Sequence, residues 1–163
     1  MKIKKTAVKI VLNKKAFILA FLVLSVIIII AGYFMYKNSS SKSNKICIEG
    51  KTCFYAEIAD TLGERERGLS GKQSLGDDKG MLFIFEEETL PGFWMKDMNF
   101  PIDILWIDEN KKIVGIEKNM QPCEEGKECP VFYPSRDIMY VFEINSGLSD
   151  AYGFEEGDSV YLR

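Results

Sequence analysis

The chain has 163 residues, enough for one ordinary domain with an appended segment. It contains no histidine, which removes the commonest general base and the commonest metal ligand from the candidates. Nine of the 21 basic residues precede Ile46, whereas all 24 acidic residues follow it, so the part from Ile46 onward carries a net charge of −12. Such an acidic part is not expected to bind nucleic acid, because phosphate binding needs a basic face.

Residues 16–36 form the first predicted element, an apolar segment without a charged side chain. As a helix, its 21 residues extend about 30 Å, the thickness of the hydrocarbon core of a bilayer. Six lysines precede the segment and three follow it closely, so the positive-inside bias puts the N-terminus in the cytoplasm. We therefore expect a basic cytoplasmic tail at 1–15, a single-pass transmembrane anchor at 16–36, a linker at 37–45 and an extracytoplasmic domain at 46–163.

A cleaved signal peptide is the alternative for this segment. Its apolar region would usually span about 7–15 residues and end in a cleavage site of small residues. The segment here is longer and ends in the bulky residues Tyr33, Phe34, Met35 and Tyr36. The pattern favours an uncleaved anchor in the cell membrane, and either interpretation places the domain outside the cytoplasm.

The four cysteines form two similar units, Cys47 to Cys53 and Cys123 to Cys129, each with the pattern C-x-x-G-K-x-C. An oxidising compartment favours two local disulfides, although the sequence allows three connectivities. A four-cysteine zinc site and a redox pair are the alternatives. Zinc ligands are usually about two to four residues apart and redox pairs follow C-x-x-C, whereas five residues separate these cysteines. We expect structural disulfides, no metal and no other cofactor.

Short β-strands dominate the domain that follows. They are predicted at residues 54–59, 80–85, 93–98, 102–108, 112–116, 138–145 and 159–162. Thr61 is predicted to cap a short helix with Glu64 as its capping-box partner, and the helix is expected to end near Gly68 or Gly71. One helical turn is predicted at 149–154 and a surface loop at 119–136. Many short strands without a long helical pattern predict a compact, mainly β domain, an antiparallel sandwich or barrel with one or two short helices.

Six short blocks follow one another along this domain. They are residues 65–69 (RERGL), 80–85 (GMLFIF), 93–96 (FWMK), 101–104 (PIDI), 142–147 (FEINSG) and 157–158 (GD). The series resembles the DUF192 family of small bacterial and archaeal domains over about residues 54–162. The resemblance implies a compact, mainly β, sandwich-like fold that often follows a signal or an anchor. It implies no activity, because the family is defined by an unknown function. The chain departs from the usual family pattern at Ser70, Lys72, Asp97 and Met98.

Two carboxylates lie among apolar residues of predicted strands. Strand alternation puts Asp103 on the face of Leu105 and Ile107, and Glu143 on the face that carries Val141. A carboxylate in such a setting must be paired or lie in a cleft. The functional hypothesis therefore gathers five residues around one ligand groove, in which an aromatic platform and charged groups bind a polar ligand such as a glycan or a peptide end. They are Arg67, Trp94, Lys96, Asp103 and Glu143.

The structural alternative pairs Asp103 or Glu143 with Arg67 or Lys96 as salt bridges and buries Trp94 in the core. A protein-interaction module of the cell envelope, acting through an edge strand or the loop 119–136, is the alternative function. A hydrolase that uses Asp103 and Glu143 as a carboxylate pair is a third hypothesis. The sequence shows no nucleophile–base motif, phosphate loop or metal cluster, so no catalytic residue is assigned. A concave pocket with converging charges would indicate a ligand binder, a flat apolar patch an interaction module, and a strongly perturbed carboxylate in a cleft an enzyme.

Overall fold

The computed structural model describes residues 16–30, 43–124 and 126–163, and the chain divides into two units, Met1–Ser40 and Ser41–Arg163. In the first unit, residues 16–30 are helical (α1). No helix within the described ranges has the length and hydropathy required to span a bilayer. The predicted cytoplasmic tail, residues 31–36 of the predicted anchor and residues 37–42 of the predicted linker lie outside the described residues. The anchor and its orientation stay predictions.

The second unit is mainly β, as predicted. Its strands are β1 (Ser43–Ile48), β2 (Cys53–Ala59), β3 (Lys79–Thr89), β4 (Phe93–Trp94), β5 (Ile102–Ile107), β6 (Ile113–Met120), β7 (Val131–Phe132), β8 (Ile138–Asn145) and β9 (Val160–Leu162). Its short helices are α2 (Leu62–Arg67) and α3 (Leu148–Ala151). Seven strands form one sheet in the order β6-β5-β8-β3-β2-β1-β9, and β4 pairs with β7 in a second, two-stranded sheet. β1 begins inside the range predicted as linker.

The predicted antiparallel sandwich or barrel is confirmed in part, because the sheet is a mainly antiparallel half-barrel in which β2 and β3 pair in parallel. Parallel neighbours need a connection that crosses from one end of the sheet to the other. Residues 60–78 supply it and contain only the six-residue helix α2. The sequence lacks a long helical pattern, but a parallel crossover requires only a connection long enough to cross the sheet.

The large sheet curls into a half-barrel whose edge strands β6 and β9 come together at a bridge between Lys112 and Ser159. One core cluster contains residues from all seven strands and therefore lies on the inner face of the curl. The outer face carries a second cluster, which includes Leu69 from the turn after α2 and Met95 from the segment after β4. Both faces of the sheet are thus covered, and the outer one is covered by short segments.

The structure confirms two features that were predicted from short stretches of the sequence. The capping box of α2 is confirmed, since the Glu64 backbone N–H donates to Thr61 Oγ1 and the Glu64 carboxylate accepts from the Thr61 N–H. The structure joins Cys47 to Cys53 and Cys123 to Cys129, the two local disulfides that were predicted.

The strand predicted at 93–98 ends at Trp94. The carbonyl groups of Lys96 and Asp97 accept hydrogen bonds from Ser70 Oγ (3.0 Å) and from the Gly71 N–H (2.8 Å). They are therefore bound by the turn after α2 and not by a neighbouring strand. β7 was not predicted and lies within the range expected to be a loop.

Gly80 of β3 lies in close contact with β8, and this generates a prediction about the fold. A Cβ added at Gly80 would lie 2.7 Å from the carbonyl oxygen of Glu143 and still closer to the Phe142 ring. Gly80→Ala is therefore expected to lower the free energy of unfolding by about 3 kcal/mol, at the upper end of overpacking effects. The measurement is denaturant unfolding of the full-length chain in a mild detergent.

Gly63→Ala is the matched control, because a Cβ at this position in α2 meets nothing within 4 Å. It is expected to raise the free energy of unfolding by up to about 1 kcal/mol, the difference in helix propensity between Ala and Gly. Equal effects of the two substitutions would contradict the close contact of β3 with β8.

Candidate functional site

A pocket of about 240 Å³ lies on the outer face of the sheet, between α2 and the segment that contains β4; we call it the α2 pocket. Its volume is below the range of about 300–1,000 Å³ typical of sites for drug-sized ligands, so it suits a small ligand or one end of a longer one. Its lining comes from α2 and the following turn (Leu62, Arg65, Glu66, Arg67, Gly68, Leu69 and Ser70), from β3 (Phe83 and Phe85), from residues 91–98 (Pro91, Gly92, Phe93, Trp94 and Met98) and from β8 (Glu143).

The first wall of the α2 pocket is held to the sheet by Arg65. Its guanidinium donates hydrogen bonds to the carbonyl oxygens of Asp60 (2.6 Å) and Ile84 (2.8 Å) and lies 5.3 Å from the centre of the Phe85 ring. Gly68 ends the helix with φ of 50° in close approach to Phe83, since an added Cβ would lie 3.3 Å from that ring. These contacts fix α2 against residues 83–85 of β3.

The second wall is the β4 segment, and aromatic packing holds it. The Phe93 ring lies edge-on to Phe83 (5.0 Å between centroids) and to Trp106 (5.4 Å), so β4 is packed against two strands of the large sheet. Trp94, the next residue, is 53% exposed. The ammonium group of Lys96 lies 5.8 Å from the Trp94 ring centre, which places Lys96 at the rim of the pocket.

The floor of the pocket contains the carboxyl group of Glu143. The residue is only 5% exposed and pairs in register with Met81 and Ile104, so its neighbours on the sheet are apolar. Burial raises the pKa of Glu143 to about 8. Among the described residues, its carboxyl group makes no hydrogen bond and no ion pair. At neutral pH the group is therefore mostly protonated and offers one O–H donor together with acceptor oxygens.

Arg67 brings the opposite chemistry to the same pocket. It is the last residue of α2, it is exposed, and its guanidinium has no hydrogen-bonding or ion-pairing partner in the part of the chain that the structure describes. Among the lining residues, Arg65 and Arg67 outnumber the one exposed carboxylate, that of Glu66. The lining of the α2 pocket thus has more positive than negative side chains, in a domain with a net charge of −12.

Asp103 lies elsewhere, on the inner face of the sheet, and is fully buried. Its carboxylate accepts hydrogen bonds from the backbone N–H groups of Asn119 (2.8 Å), Gly147 (3.0 Å) and Ser149 (3.1 Å) and from the Ser149 hydroxyl. It thereby binds the start of α3 and the end of β6 to β5. Asp103 is a structural group whose charge is satisfied by backbone donors.

Three of the five residues predicted for one groove line the α2 pocket, namely Arg67, Trp94 and Glu143. Lys96 lies beside Trp94 at the rim, and Asp103 is separated from the others by the sheet. Asp103 is opposite Ile144, whereas Ile104 is opposite Glu143, so the two carboxyl groups point to opposite faces and form no acid–base pair.

The structural alternative is contradicted in its salt bridges and in the burial of Trp94, although Asp103 does have a structural role. Within the described residues, neither Asp103 nor Glu143 forms an ion pair with Arg67 or Lys96. Trp94 is half exposed, whereas Trp106 on β5 occupies the core.

Several residues that line the α2 pocket were not predicted from the sequence. Phe83 and Phe85 share one face of β3 because they are two residues apart. Because the run 80–85 is apolar on both faces, its sequence pattern did not distinguish the face that carries Phe83 and Phe85. Phe93 was read as part of a strand, and its contacts with Phe83 depend on tertiary packing. No group of three or more acidic, cysteine or histidine side chains within the described ranges is placed to hold a metal ion.

Comparison with known proteins supports the resemblance noted in the sequence. The model of the DUF192 family, described as an uncharacterized ACR, matches residues 44–162. A candidate transcription regulator from Sinorhizobium meliloti 1021 is 28% identical, with a TM-score of 0.70 over 76% of this chain and 95% of that protein. A protein of unknown function from Novosphingobium aromaticivorans DSM 12444 is also 28% identical, with a TM-score of 0.67 over 72% of this chain and 83% of that protein. No curated protein matches the chain.

The buried carboxyl group of Glu143 predicts a characteristic pH dependence of stability. Between its ordinary pKa of 4.5 and the raised value of about 8, the native state holds a proton that the unfolded state has released. The contribution of Glu143 to the free energy of unfolding therefore falls as the pH rises through this window, by about 3 kcal/mol at pH 7. Glu143→Gln keeps a neutral side chain of the same size and removes this penalty.

The measurement is denaturant unfolding of the full-length parent and of Glu143→Gln in detergent from pH 5 to pH 8. The stability of the variant relative to the parent is expected to increase steadily across that range. A difference that stays constant with pH would show that Glu143 is ionised normally in the folded protein.

Proposed function

The chain belongs to the DUF192 family, and on that premise we propose that its domain 46–163 binds a small polar ligand of the cell envelope, a glycan or a peptide. The segment 16–36 anchors this domain to the outer side of the cell membrane. The observation that carries the binding proposal is the carboxyl group of the buried residue Glu143, which opens onto the floor of the pocket and has no partner among the described residues.

A buried polar group without a partner in its own protein costs stability. A pocket that leaves such a group accessible suits a ligand that supplies the missing hydrogen bonds. The exposed face of Trp94 adds an aromatic surface to the same site, and the guanidinium of Arg67, which has no partner in the described part of the chain, adds a charge. Four of the six blocks that carry the family resemblance, residues 65–69, 80–85, 93–96 and 142–147, contribute lining residues.

The anchoring proposal is supported by the sequence. The 21 apolar residues from 16 to 36 match the thickness of a bilayer, and the lysines are concentrated before them. The two disulfides are consistent with an oxidising compartment outside the cytoplasm.

Catalysis is less well supported than binding. A perturbed carboxyl group in a cleft suits an acid–base catalyst. A two-carboxylate hydrolase needs its second group on the same side of the substrate site, about 5–10 Å away. Asp103 points to the other face of the sheet, so the carboxylate pair of Asp103 and Glu143 that the hydrolase hypothesis used does not form. The description of the Sinorhizobium protein as a candidate regulator concerns that protein, and the acidic charge of this domain does not favour nucleic acid.

A second candidate function is protein interaction. Exposed apolar side chains lie on the β4–β7 sheet and beside it, which is a recognised feature of docking surfaces. They are Leu90, Trp94, Val131 and Tyr133. A partner protein bound there would contact Trp94, so the two functions are separated by whether small molecules bind.

The binding proposal predicts a thermal shift. The full-length oxidised chain in detergent would be melted with envelope sugars, short peptides, nucleotides and divalent cations. A ligand at about 100 times its dissociation constant stabilises the native state by about 2.7 kcal/mol, a shift of several degrees in a domain of this size. Arg67→Ala and Trp94→Ala are expected to abolish the shift.

Arg136→Ala is the matched control, because Arg136 is exposed and lies outside the α2 pocket. It should keep the shift of the parent. Failure of every sugar and peptide to change the melting temperature would contradict the binding proposal and favour protein interaction.

The anchoring proposal predicts the topology of the chain in cells. A protease added to intact spheroplasts is expected to remove an epitope placed after Arg163 and to leave an N-terminal epitope intact in the membrane fraction. Detergent lysis is the control that exposes both epitopes. Protection of the C-terminal epitope until lysis would contradict the orientation, and release of a soluble domain without the N-terminal epitope before protease is added would show cleavage.

A further inference from the structure

We propose that the α2 pocket binds the C-terminal end of a peptide, with the terminal carboxylate on Arg67 and an apolar last side chain against the phenylalanine residues. This inference rests on the proposed ligand-binding function and names the chemical class of the ligand. It is carried by the charge at the mouth, the apolar walls, the uncharged donor on the floor and the size of the pocket.

The charge of the mouth selects an anion. Arg67 has no protein partner among the described residues, whereas the guanidinium of Arg65 already donates to two carbonyl oxygens. Lys96 adds a second exposed cation at the rim. A guanidinium presents paired N–H groups that match the two oxygens of a carboxylate. In a domain with a net charge of −12, this local positive charge directs anionic groups to the pocket.

The walls select an apolar body. Phe83, Phe85 and Phe93 line the interior, with Leu69 from the turn after α2. A sugar ring carries hydroxyl groups around its edge, and these walls offer them no hydrogen-bonding partners. Burial of an apolar side chain at the end of a peptide against these walls would stabilise the complex. The lining therefore favours a peptide over a glycan.

The floor selects an uncharged polar group. A protonated carboxyl group has one donor and one free acceptor, which complement the carbonyl and the N–H of a peptide group. The charged groups that face the pocket with Glu143 are Arg65, Glu66 and Arg67 from α2, while its neighbours on the sheet are apolar and the lining residues of the β4 segment carry no charge. A peptide N-terminus would bring a cation to two arginines. The C-terminus is therefore the matching end.

The size of the pocket favours the end of a peptide over an internal segment that enters and leaves the pocket. At about 240 Å³ it is smaller than sites that enclose drug-sized ligands, about 300–1,000 Å³. One terminal residue and the preceding peptide group require less room than a chain that enters and leaves.

The test is calorimetric titration of the full-length chain in detergent with N-acetylated glycyl dipeptides that end in alanine, leucine or phenylalanine. Each is compared with its own C-terminal amide, which differs only in the charge of the end group. N,N′-diacetylchitobiose represents the glycans. At least one free acid is expected to bind about tenfold or more tightly than its amide, the usual effect of one charge-assisted hydrogen bond.

Variants assign the contacts. Arg67→Ala should abolish the preference for the free acid, and Arg136→Ala should keep it. Binding to the parent should weaken as the pH rises through about 8, and Glu143→Gln should remove this dependence.

Each result decides between the two proposals. Amides that bind as tightly as the acids, or a preference that survives Arg67→Ala, would overturn the C-terminal assignment and leave the ligand-binding function intact. Binding of the disaccharide alone would do the same. If no dipeptide and no sugar binds, both proposals are contradicted. The comparison of acid with amide uses the parent chain, so it does not depend on the folding of any variant.

Discussion

The pairing of β5 with β8 determines where both buried carboxyl groups lie. Asp103 is opposite Ile144 and Ile104 is opposite Glu143, so two acids that are one register position apart point to opposite faces of the same sheet. The inner one meets backbone N–H groups at the start of α3 and is fully satisfied. The outer one meets apolar neighbours and an open pocket. One register therefore produces a structural carboxylate and a candidate binding group.

The curl of the sheet explains why the outer face has a pocket. Residues from all seven strands pack together on the inner face, with Phe154 from the segment after α3. The outer face is covered by α2 and the β4–β7 sheet, both of which are short. A few contacts hold these two covers, chiefly the hydrogen bonds of Arg65 and the packing of Phe93. The space that remains between them is the α2 pocket, and its polar groups come from α2, from the segment around β4 and from β8.

Local features of this structure were predictable from the sequence, whereas long-range pairings were not. The strand at 138–145, the capping box at Thr61 and the facing of Asp103 and Glu143 depend on neighbouring residues, and each was predicted correctly. The parallel pairing of β2 with β3, the strand β7 and the early end of β4 depend on partners that are distant in the chain. For the same reason, the sequence grouped Asp103 with Arg67, Trp94 and Glu143: strand alternation assigns a face to each residue but does not say which faces coincide.

The floor of the α2 pocket holds a carboxyl group that burial keeps mostly uncharged at neutral pH and that has no partner among the described residues. The most direct test is to follow the side-chain carboxyl carbon of Glu143 by ¹³C NMR while the pH of the full-length chain in detergent is raised from 3 to 10, with Glu143→Gln used to assign the signal. We expect the chemical shift of this carbon to change in a transition near pH 8. A transition near the ordinary value of 4.5 would mean that Glu143 is hydrated or paired in solution, and the pocket would then lack the group on which the binding proposal rests.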